Sequence, residues 1–196
     1  MDPSSSTMVV TYLEMCRKPG DLTPQAAPPG TVIRRIPRPS IRFYRKLYRS
    51  VGERWSWVDR LRMDDETLKK IIQDPQVEIH LLLKGWRPLG YVEMDLRFHP
   101  DIELTYLGVV PAAIGKGMGK CLLDHAVQSA WRNAPRRLWL HTCTLDHPGA
   151  LSFYLKNGFK VYNQEVRATS STPQGESFLS ITPRSLAGVR HAPFRP

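Results

Sequence analysis

The sequence predicts a mixed α/β fold, in which a central sheet has helices on both faces. Three observations support it: strand patterns outnumber helical ones, the early strands are joined as a hairpin, and only the later part alternates strand with helix. The chain has 196 residues, 41% of them hydrophobic and 23% charged. This length and composition allow one globular domain with a substantial core.

The first 30 residues are rich in Ser, Pro and Gly, which is typical of an arm or linker. Their apolar part, residues 8–15, is able to pack on the domain as an edge strand. We therefore expect an arm over residues 1–30, a domain over 31–182 and a flexible tail over 183–196. The first strand of the domain is expected at 31–36.

Two helices are predicted next. Apolar and aromatic residues recur at helical spacing over 40–51, and Ser40 is a suitable N-cap. Asp64 or Asp65 can cap a second helix. The buried stripe of this second helix is predicted to contain Leu68, Ile71 and Ile72.

The remaining strands are predicted from β-branched and aromatic runs that Gly, Pro and Asp interrupt. Residues 77–83 and 89–97 are expected to form a hairpin, because Lys-Gly-Trp-Arg-Pro separates them. A later strand is predicted at 137–143, with alternate residues on opposite faces. Further strands are expected to begin at 159–162 and to lie at 175–181.

A short helix is predicted between these later strands. Pro148 is expected at its first helical position, since proline is favoured there. Gly158 is expected to end it in a left-handed conformation.

Residues 102–130 predict the order strand, glycine-rich loop and amphipathic helix. The loop glycines are Gly115, Gly117 and Gly119. Without a Cβ atom they allow backbone amides to converge at the helix N-terminus, where unpaired N–H groups and the positive end of the dipole attract an anion. Lys116 and Lys120 add positive charge, so the loop is predicted to bind a phosphate.

The glycine spacing does not match two other phosphate-binding motifs. A Walker loop requires Ser or Thr after Gly-Lys, whereas Cys121 follows Lys120, and Ile114 occupies the place of the leading glycine. A dinucleotide fingerprint requires G-x-G-x-x-G, but the three glycines here alternate.

The cysteine content and the charge distribution restrict the cellular location and the binding partners that we expect. The three cysteines have no C-x-x-C spacing, and the N-terminal residues lack a secretory pattern, so we expect no metal and a cytoplasmic location. No apolar run is long enough to span a membrane. The net charge is +10, but the positive residues are spread along the chain without a nucleic-acid-binding module, which does not favour a nucleic-acid partner.

Two segments together resemble the signature motifs of the GNAT superfamily of acyl-CoA-dependent N-acyltransferases. The loop I-G-K-G-M-G is similar to the family's pyrophosphate loop [Q/R]-x-x-G-x-[G/A], with Ile114 at the position of Gln or Arg. The later A-L-S-F-Y-L-K-N-G-F is similar to A-x-x-x-Y-x-x-x-G-F. The resemblance implies a central mixed, mostly antiparallel sheet that is splayed at its middle, and acetyl-CoA as cosubstrate.

The resemblance also implies which residues contact the cosubstrate. Backbone groups of the strand before the loop are expected to pair with the pantetheine amides, because the family has a bulge and a splay there. The expected cofactor-binding residues are Leu107, Gly108, Val109, Val110, Ile114, Gly115, Lys116, Gly117, Met118, Gly119, Lys120, His147 and Tyr154. His147 stands where many members have Asn, and capping, a pantetheine contact and solvent exposure are all open for it.

Direct acyl transfer from the thioester to an amine then suggests two catalytic residues. Glu103 is the candidate base, because period-two counting places it on the face of Leu107 and Val109; an exposed salt bridge is the alternative. Tyr154 is the candidate acid that protonates the thiolate, and ring packing in the core is its alternative. Glu93 and Asp95 are the reserve bases.

Other residues have alternative interpretations. Trp55 and Trp57 either line an acceptor pocket or close the core. Cys143 and His141 lie on one strand face, so an acyl-cysteine route is conceivable, but a buried cysteine is more often a small apolar residue.

The sequence therefore predicts an N-acetyltransferase that transfers the acetyl group of acetyl-CoA directly to a primary amine. The acceptor is expected to be a small molecule or a peptide, and a homodimer is allowed. A noncatalytic acyl-CoA-binding module is the alternative function.

Overall fold

A single seven-stranded sheet organises the protein, which we analysed as a computed structural model that describes residues 7–20 and 27–168. The strand order is β2-β3-β4-β5-β6-β1-β7, and all neighbours are antiparallel except β5 and β6, which are parallel. The strands are β1 (Thr7–Met15), β2 (Thr31–Arg35), β3 (Val77–Lys84), β4 (Arg87–Asp95), β5 (Asp101–Val109), β6 (Arg137–Cys143) and β7 (Lys160–Ala168). The predicted mixed, mostly antiparallel sheet is confirmed.

The helices divide between the two faces of the sheet, as predicted. They are α1 (Ile41–Gly52), α2 (Asp59–Arg62), α3 (Asp65–Ile72), α4 (Met118–Trp131) and α5 (Ala150–Lys156). One core cluster joins the sheet to α4 and α5, and includes Leu122, Leu140 and Tyr154. A second cluster on the opposite face joins the sheet to α1 and α3, and includes Tyr48 and Leu68.

The capping predictions are confirmed. The Ser40 hydroxyl accepts a hydrogen bond from the amide of Phe43 at the start of α1. The Asp64 carboxylate accepts one from the amide of Thr67, so Asp64 rather than Asp65 caps α3. Both bonds satisfy amides of the first helical turn that lack a backbone partner.

The N-terminal strand occupies a different place from the one expected. Residues 8–15 are able, from their sequence, to pack as an edge strand, but β1 lies inside the sheet between β6 and β7. Its side chains Tyr12 and Leu13 are fully buried, which explains the apolar composition of the segment. The strand predicted at residues 175–181 lies outside the described residues.

The short helix α5 begins later than the sequence suggested. Pro148 was expected at the first helical position, but α5 starts at Ala150 with Gly149 as N-cap. The side chain of His147 accepts a hydrogen bond from the Gly149 amide at 2.9 Å, so residues 147–149 form a separate turn. Gly158 does follow the helix with a positive φ of 89°, as predicted.

The parallel pair β5–β6 is short. Its registered residues run only from Asp101 opposite Arg137 to Glu103 opposite Trp139. Beyond Glu103 the two strands are no longer paired, although β5 continues to Val109 and β6 to Cys143. The sheet therefore opens between the carboxyl-terminal halves of these two strands.

No helix among the described residues combines the length and apolarity that a membrane span would need.

A buried ion pair anchors α2 to the sheet. Arg60 Nη2 lies 2.6 Å from Glu93 Oε1, and their side chains are 4% and 1% exposed. The other oxygen of Glu93 accepts a hydrogen bond from the Tyr44 hydroxyl at 2.5 Å. Burial of a charge is tolerated only when partners of this kind compensate for the lost hydration.

We predict that Arg60→Met destabilises the protein, because Glu93 would stay buried without its cation. The expected loss is about 3–5 kcal/mol in the free energy of unfolding, measured by urea denaturation. Lys70→Ala, which removes an exposed ion pair with Glu66, is the control and should change stability by less than about 0.5 kcal/mol. Equal effects of the two substitutions would show that the buried pair has no special role.

Candidate active site

The opening between β5 and β6 leads into a cavity of about 570 Å³. Most of its lining comes from β5, the loop before α4, the end of β6, the start of α5 and the segment between α1 and α2, and β1, α1, α2 and β7 also contribute residues. A volume of this size is typical of small-molecule sites. The strand divergence thus places distant parts of the chain around one space.

A bulge in β5 decides which side chains face which side of the sheet. The register shifts between Glu93, opposite Tyr106, and Met94, opposite Leu104, so that Thr105 is an extra residue. Strand alternation therefore changes phase at this point.

The bulge corrects the predicted position of Glu103. Leu107 and Val109 pack with the cluster around α4, whereas Tyr106 packs with the cluster around α1. Glu103 precedes the bulge, and its side chain points to the other face of the sheet from that of its neighbour Leu104, which packs around α4. Glu103 therefore shares a face with Tyr106 and not with Leu107 and Val109. The sequence hides this change of phase because period-two counting assumes an uninterrupted strand.

Some backbone groups of β5 already form hydrogen bonds within the protein, whereas others point into the opening and can bond a ligand. The amide of Val110 donates to the carbonyl oxygen of Leu89 at 2.8 Å, and the Val110 carbonyl accepts from Ala113 at 2.8 Å. In an antiparallel pair the residues alternate between facing the partner strand and facing away from it. Leu107 and Val109 therefore direct their backbone groups towards the open side, whereas Gly108 and Val110 do not.

The loop before α4 has the geometry expected of an anion site. Gly115 and Gly117 both have φ of 75°, in the left-handed region that favours glycine. Gly117 is the N-cap of α4, and neither a side-chain cap nor an acidic residue occupies the first turn. The amides at this end are thus without a side-chain acceptor, which suits a phosphate.

Not every loop residue that the sequence suggested faces the cavity. Ile114, Gly115, Gly117, Gly119 and Lys120 line it. Lys116 and Met118 are outside the lining, and Met118 packs against the core around α4. Lys120 also forms an ion pair with the buried Asp124, so part of its positive charge is already compensated.

Tyr154 lines the cavity from α5 and is 8% exposed. Burial, with a further contribution from the negative charge of Asp146, raises the pKa of its phenol. Its ring packs edge-on against Phe153 and Phe159, at centroid distances of 5.3 and 5.9 Å. Tyr154 is therefore a protonated hydroxyl at neutral pH, held in place by its aromatic neighbours.

Glu103 reaches the cavity through His141. The carboxyl oxygen lies 3.7 Å from Nδ1 of His141, which itself lines the cavity. Burial, followed by the charge of Asp95, raises the pKa of Glu103 to about 8. Burial lowers the pKa of His141, so its imidazole is neutral at pH 7. Residue patterns do not reveal this pairing, because Glu103 and His141 lie on different strands.

The reserve bases are already engaged. Glu93 is bonded to Arg60 and Tyr44. Asp95 accepts a bidentate pair of hydrogen bonds from the guanidinium of Arg97. Neither carboxylate lines the cavity.

The cysteine alternative receives little support from its surroundings. Cys143 lines the cavity, but burial and then the negative charge of Asp146 raise the pKa of its thiol. A protonated thiol is a weak nucleophile. Among the described residues, no cluster of three or more His, Cys, Asp or Glu side chains could hold a metal ion.

Asp146 connects the two sides of the opening, and sequence reasoning missed it. Its Oδ2 accepts from the Thr142 hydroxyl at 2.7 Å and from the Cys143 amide at 2.9 Å. Its Oδ1 accepts from the indole nitrogen of Trp57 at 3.1 Å. The side chain therefore joins the end of β6 to the segment between α1 and α2.

The two tryptophans line the cavity rather than only closing the core. Trp57 lies over Gly108, where an added Cβ atom would come within 3.3 Å of the indole. Trp55 packs edge-on against His147, with 4.9 Å between ring centroids. His147 thus acts as a cap for its own turn and as an aromatic partner at the cavity rim.

Comparison with known proteins agrees with this geometry. The model of the Acetyltransferase (GNAT) family matches residues 41–159, more than half of the chain. Mycothiol acetyltransferase of Jonesia denitrificans is 34% identical over 87 residues, which cover 44% of this chain and 27% of that protein. The chain therefore spans about a quarter of the length of this curated relative.

Solved structures share the fold at low sequence identity. A GCN5-related N-acetyltransferase from Sphaerobacter thermophilus has a TM-score of 0.60 at 18% identity, covering 82% of this chain and 50% of that one. An aminoglycoside acetyltransferase from an uncultured soil metagenomic sample, in complex with sisomicin, has a TM-score of 0.51 at 14% identity, covering 65% and 86%. With the family match, the fold and the glycine loop lead to one conclusion: the chain belongs to the acetyltransferase (GNAT) family.

Proposed function

We propose that this protein is an N-acetyltransferase that moves the acetyl group of acetyl-CoA directly to a primary amine. The observation that carries the proposal is the continuity of the cavity, which runs from the uncapped start of α4, past the open edge of β5, to Tyr154. A coenzyme A thioester has a pyrophosphate, two amides and a reactive sulfur in that same order. The residues present therefore suit this cosubstrate.

The residues have separate tasks in this proposal. Amides at the start of α4, from Gly117 onwards, bind the pyrophosphate, and Lys120 adds positive charge. Backbone groups of Leu107 and Val109 pair with the pantetheine amides, because no strand of residues 7–20 or 27–168 pairs with β5 on that side. Acetyl-CoA supplies an activated acetyl group as its thioester.

The acyl end of the cavity contains a donor for each developing charge. The Val109 amide is suited to donate to the thioester carbonyl oxygen, where negative charge grows as the amine attacks. The Tyr154 hydroxyl, kept protonated by burial, is suited to donate a hydrogen bond to the departing sulfur, along which its proton is proposed to move. Both donors are held by packed structure, so little reorganisation is needed.

Glu103 is the proposed base. An alkyl ammonium with a pKa of about 10 is mostly protonated at pH 7, so a proton acceptor assists the attack. A carboxylate with a pKa of about 8 is a stronger base than an ordinary glutamate. Since His141 stands between Glu103 and the cavity, the proton is proposed to pass through the imidazole or a water.

Two measurements test the function itself. Calorimetric titration should detect binding of acetyl-CoA, and a thiol-release assay over a panel of primary amines should detect turnover. Gly117→Val should weaken acetyl-CoA binding by about 10-fold or more, since a side chain at this left-handed position disturbs the amides of the loop. Gly30→Val is the matched control, because Gly30 has φ of 74° and open space around it.

The outcomes separate the candidate functions. Binding with turnover supports the transferase, whereas tight binding with no thiol release on a broad panel supports a noncatalytic acyl-CoA-binding module. Equal loss of affinity in Gly117→Val and Gly30→Val would refute the phosphate site.

Tyr154→Phe should lower kcat by about 10-fold to 100-fold while changing acetyl-CoA affinity much less, because only the proton donor is removed. Steady-state kinetics and calorimetry on the same preparations provide the comparison. Tyr162→Phe, which removes a hydroxyl on β7 outside the cavity lining, should leave kcat unchanged. An unaltered kcat in Tyr154→Phe would exclude the acid role.

Glu103→Gln should alter the pH dependence of both activity and stability. The ionised base becomes available as the pH rises through about 8, so the substitution should remove a rise in kcat near that pH. The pKa is raised on folding, so the folded state binds more protons than the unfolded one between about pH 4.5 and 8. The free energy of unfolding should therefore fall as pH rises through this window, and less so in Glu103→Gln.

Glu66→Gln is the control for the pH profile, because Glu66 is an exposed carboxylate on α3. It should follow the unsubstituted protein in both measurements. Identical pH profiles of kcat in Glu103→Gln and the unsubstituted protein would show that another group is the base.

A further inference from the structure

One carboxylate of the cavity lining, that of Asp59, is used by no mechanism step and holds no part of the site together. Asp59 is the first residue of α2 and lines the cavity. Among residues 7–20 and 27–168, no salt bridge or side-chain hydrogen bond engages its carboxylate. The neighbouring arginines do not serve as an ion-pair partner for Asp59, because Arg60 is bonded to Glu93 and Arg62 is exposed to solvent.

Within the described part of the chain, three buried hydroxyl groups of the cavity lining also form no hydrogen bond of normal geometry. They belong to Tyr48, Thr105 and Tyr106, and the Tyr48 and Tyr106 hydroxyls lie close to each other. Tyr48 is fully buried and Tyr106 is 8% exposed. Burial raises the pKa of both phenols, and the Asp59 charge contributes to each. Polar atoms left unpaired in this way are destabilising unless a ligand or water satisfies them.

Aromatic rings surround the same place. The ring centroids of Tyr106 lie 5.1 Å from those of both Tyr48 and Trp57. Aromatic faces attract cations, and a primary ammonium group also supplies three hydrogen-bond donors. A carboxylate, unpaired hydroxyls and aromatic faces together suit an ammonium ion, whereas an anion would be repelled and a neutral group would leave Asp59 uncompensated.

This cation site is distinct from the proposed base. Asp59 lies on α2 and lines the cavity, whereas Glu103 lies on β5 and reaches the cavity only through His141 of β6. Asp59 is thus not the group that takes the proton from the attacking amine in the proposed mechanism. While one amine of the acceptor reacts near Val109 and Tyr154, Asp59 is able to bind another charged group of the same molecule.

We propose that the acceptor is a diamine or polyamine, whose second ammonium group is bound by Asp59 and the hydroxyls of Tyr48, Thr105 and Tyr106 while another amine is acetylated. This inference rests on the proposed acetyl transfer. The protein itself has a net charge of +10, so long-range electrostatics oppose a polycation. Selectivity for a polycation must therefore come from a local carboxylate such as that of Asp59.

A binding experiment tests the site without requiring turnover. Spermidine and n-butylamine are titrated into the full chain saturated with CoA, which has no acetyl group to transfer, at fixed ionic strength. Spermidine should bind at least about 10-fold more tightly than n-butylamine, and Asp59→Asn should weaken spermidine binding by about 10-fold or more. Glu53→Gln, a nearby exposed carboxylate outside the cavity, should leave the spermidine affinity unchanged.

A second variant keeps the test valid if Asp59→Asn does not fold. Tyr106→Phe retains the carboxylate and removes one unpaired hydroxyl, and it should weaken spermidine binding a few-fold. The proposal is overturned if n-butylamine binds as tightly as spermidine, or if folded Asp59→Asn retains the full affinity.

Turnover separates the two proposals from each other. With acetyl-CoA present, spermidine should exceed n-butylamine in kcat/KM, and Asp59→Asn should reduce that preference. Thiol release that is equally efficient with both amines would reject the cation site and leave acetyl transfer intact. Asp59-dependent spermidine binding without any thiol release would reject acetyl transfer to this amine and leave the cation site intact.

Discussion

The structure depends on the early end of the pairing between β5 and β6. Three residue pairs hold these parallel strands together, the last being Glu103 with Trp139. Beyond them, no strand among the described residues pairs with β5 on that side, so backbone groups at Leu107 and Val109 face the opening. Such groups are costly to bury unless a ligand or water pairs with them. The opening therefore creates both the cavity and a row of backbone groups that suits the proposed amide-containing ligand.

Asp146 limits how far the opening extends. Its two carboxylate oxygens bind Thr142 and Cys143 on one side and the indole of Trp57 on the other. Trp57 in turn covers Gly108, where an added Cβ atom would collide with Val51 and lie 3.3 Å from the indole. The two strands thus diverge by an amount that side chains determine, and Tyr154 comes to lie opposite the acyl end of the proposed cosubstrate site. The main contribution of the fold to the proposed chemistry is therefore to position these groups around the cavity, more than to supply any single reactive group.

Electrostatics distinguish structural from functional carboxylates. Glu93 and Asp95 are paired with arginines, which compensates for their burial. Glu103 and Asp59 lack such a partner, and burial raises the pKa of each. In a protein of net charge +10, Asp59 at the cavity and Glu103 behind His141 thus stand without a bonded arginine. Such a pattern is typical of sites that handle protons or bind cations, since stability alone would favour pairing.

The sequence alone determined the mixed sheet, the caps at Ser40 and Asp64, the hairpin of β3 and β4, and the glycine loop, because each depends on residues close together in the chain. Family resemblance drew attention to Tyr154. Only the tertiary structure decided that β1 lies inside the sheet, that a bulge at Thr105 moves Glu103 to the other face, and that Asp146 reaches Trp57. These features arise from contacts between distant segments, and local residue patterns do not encode them.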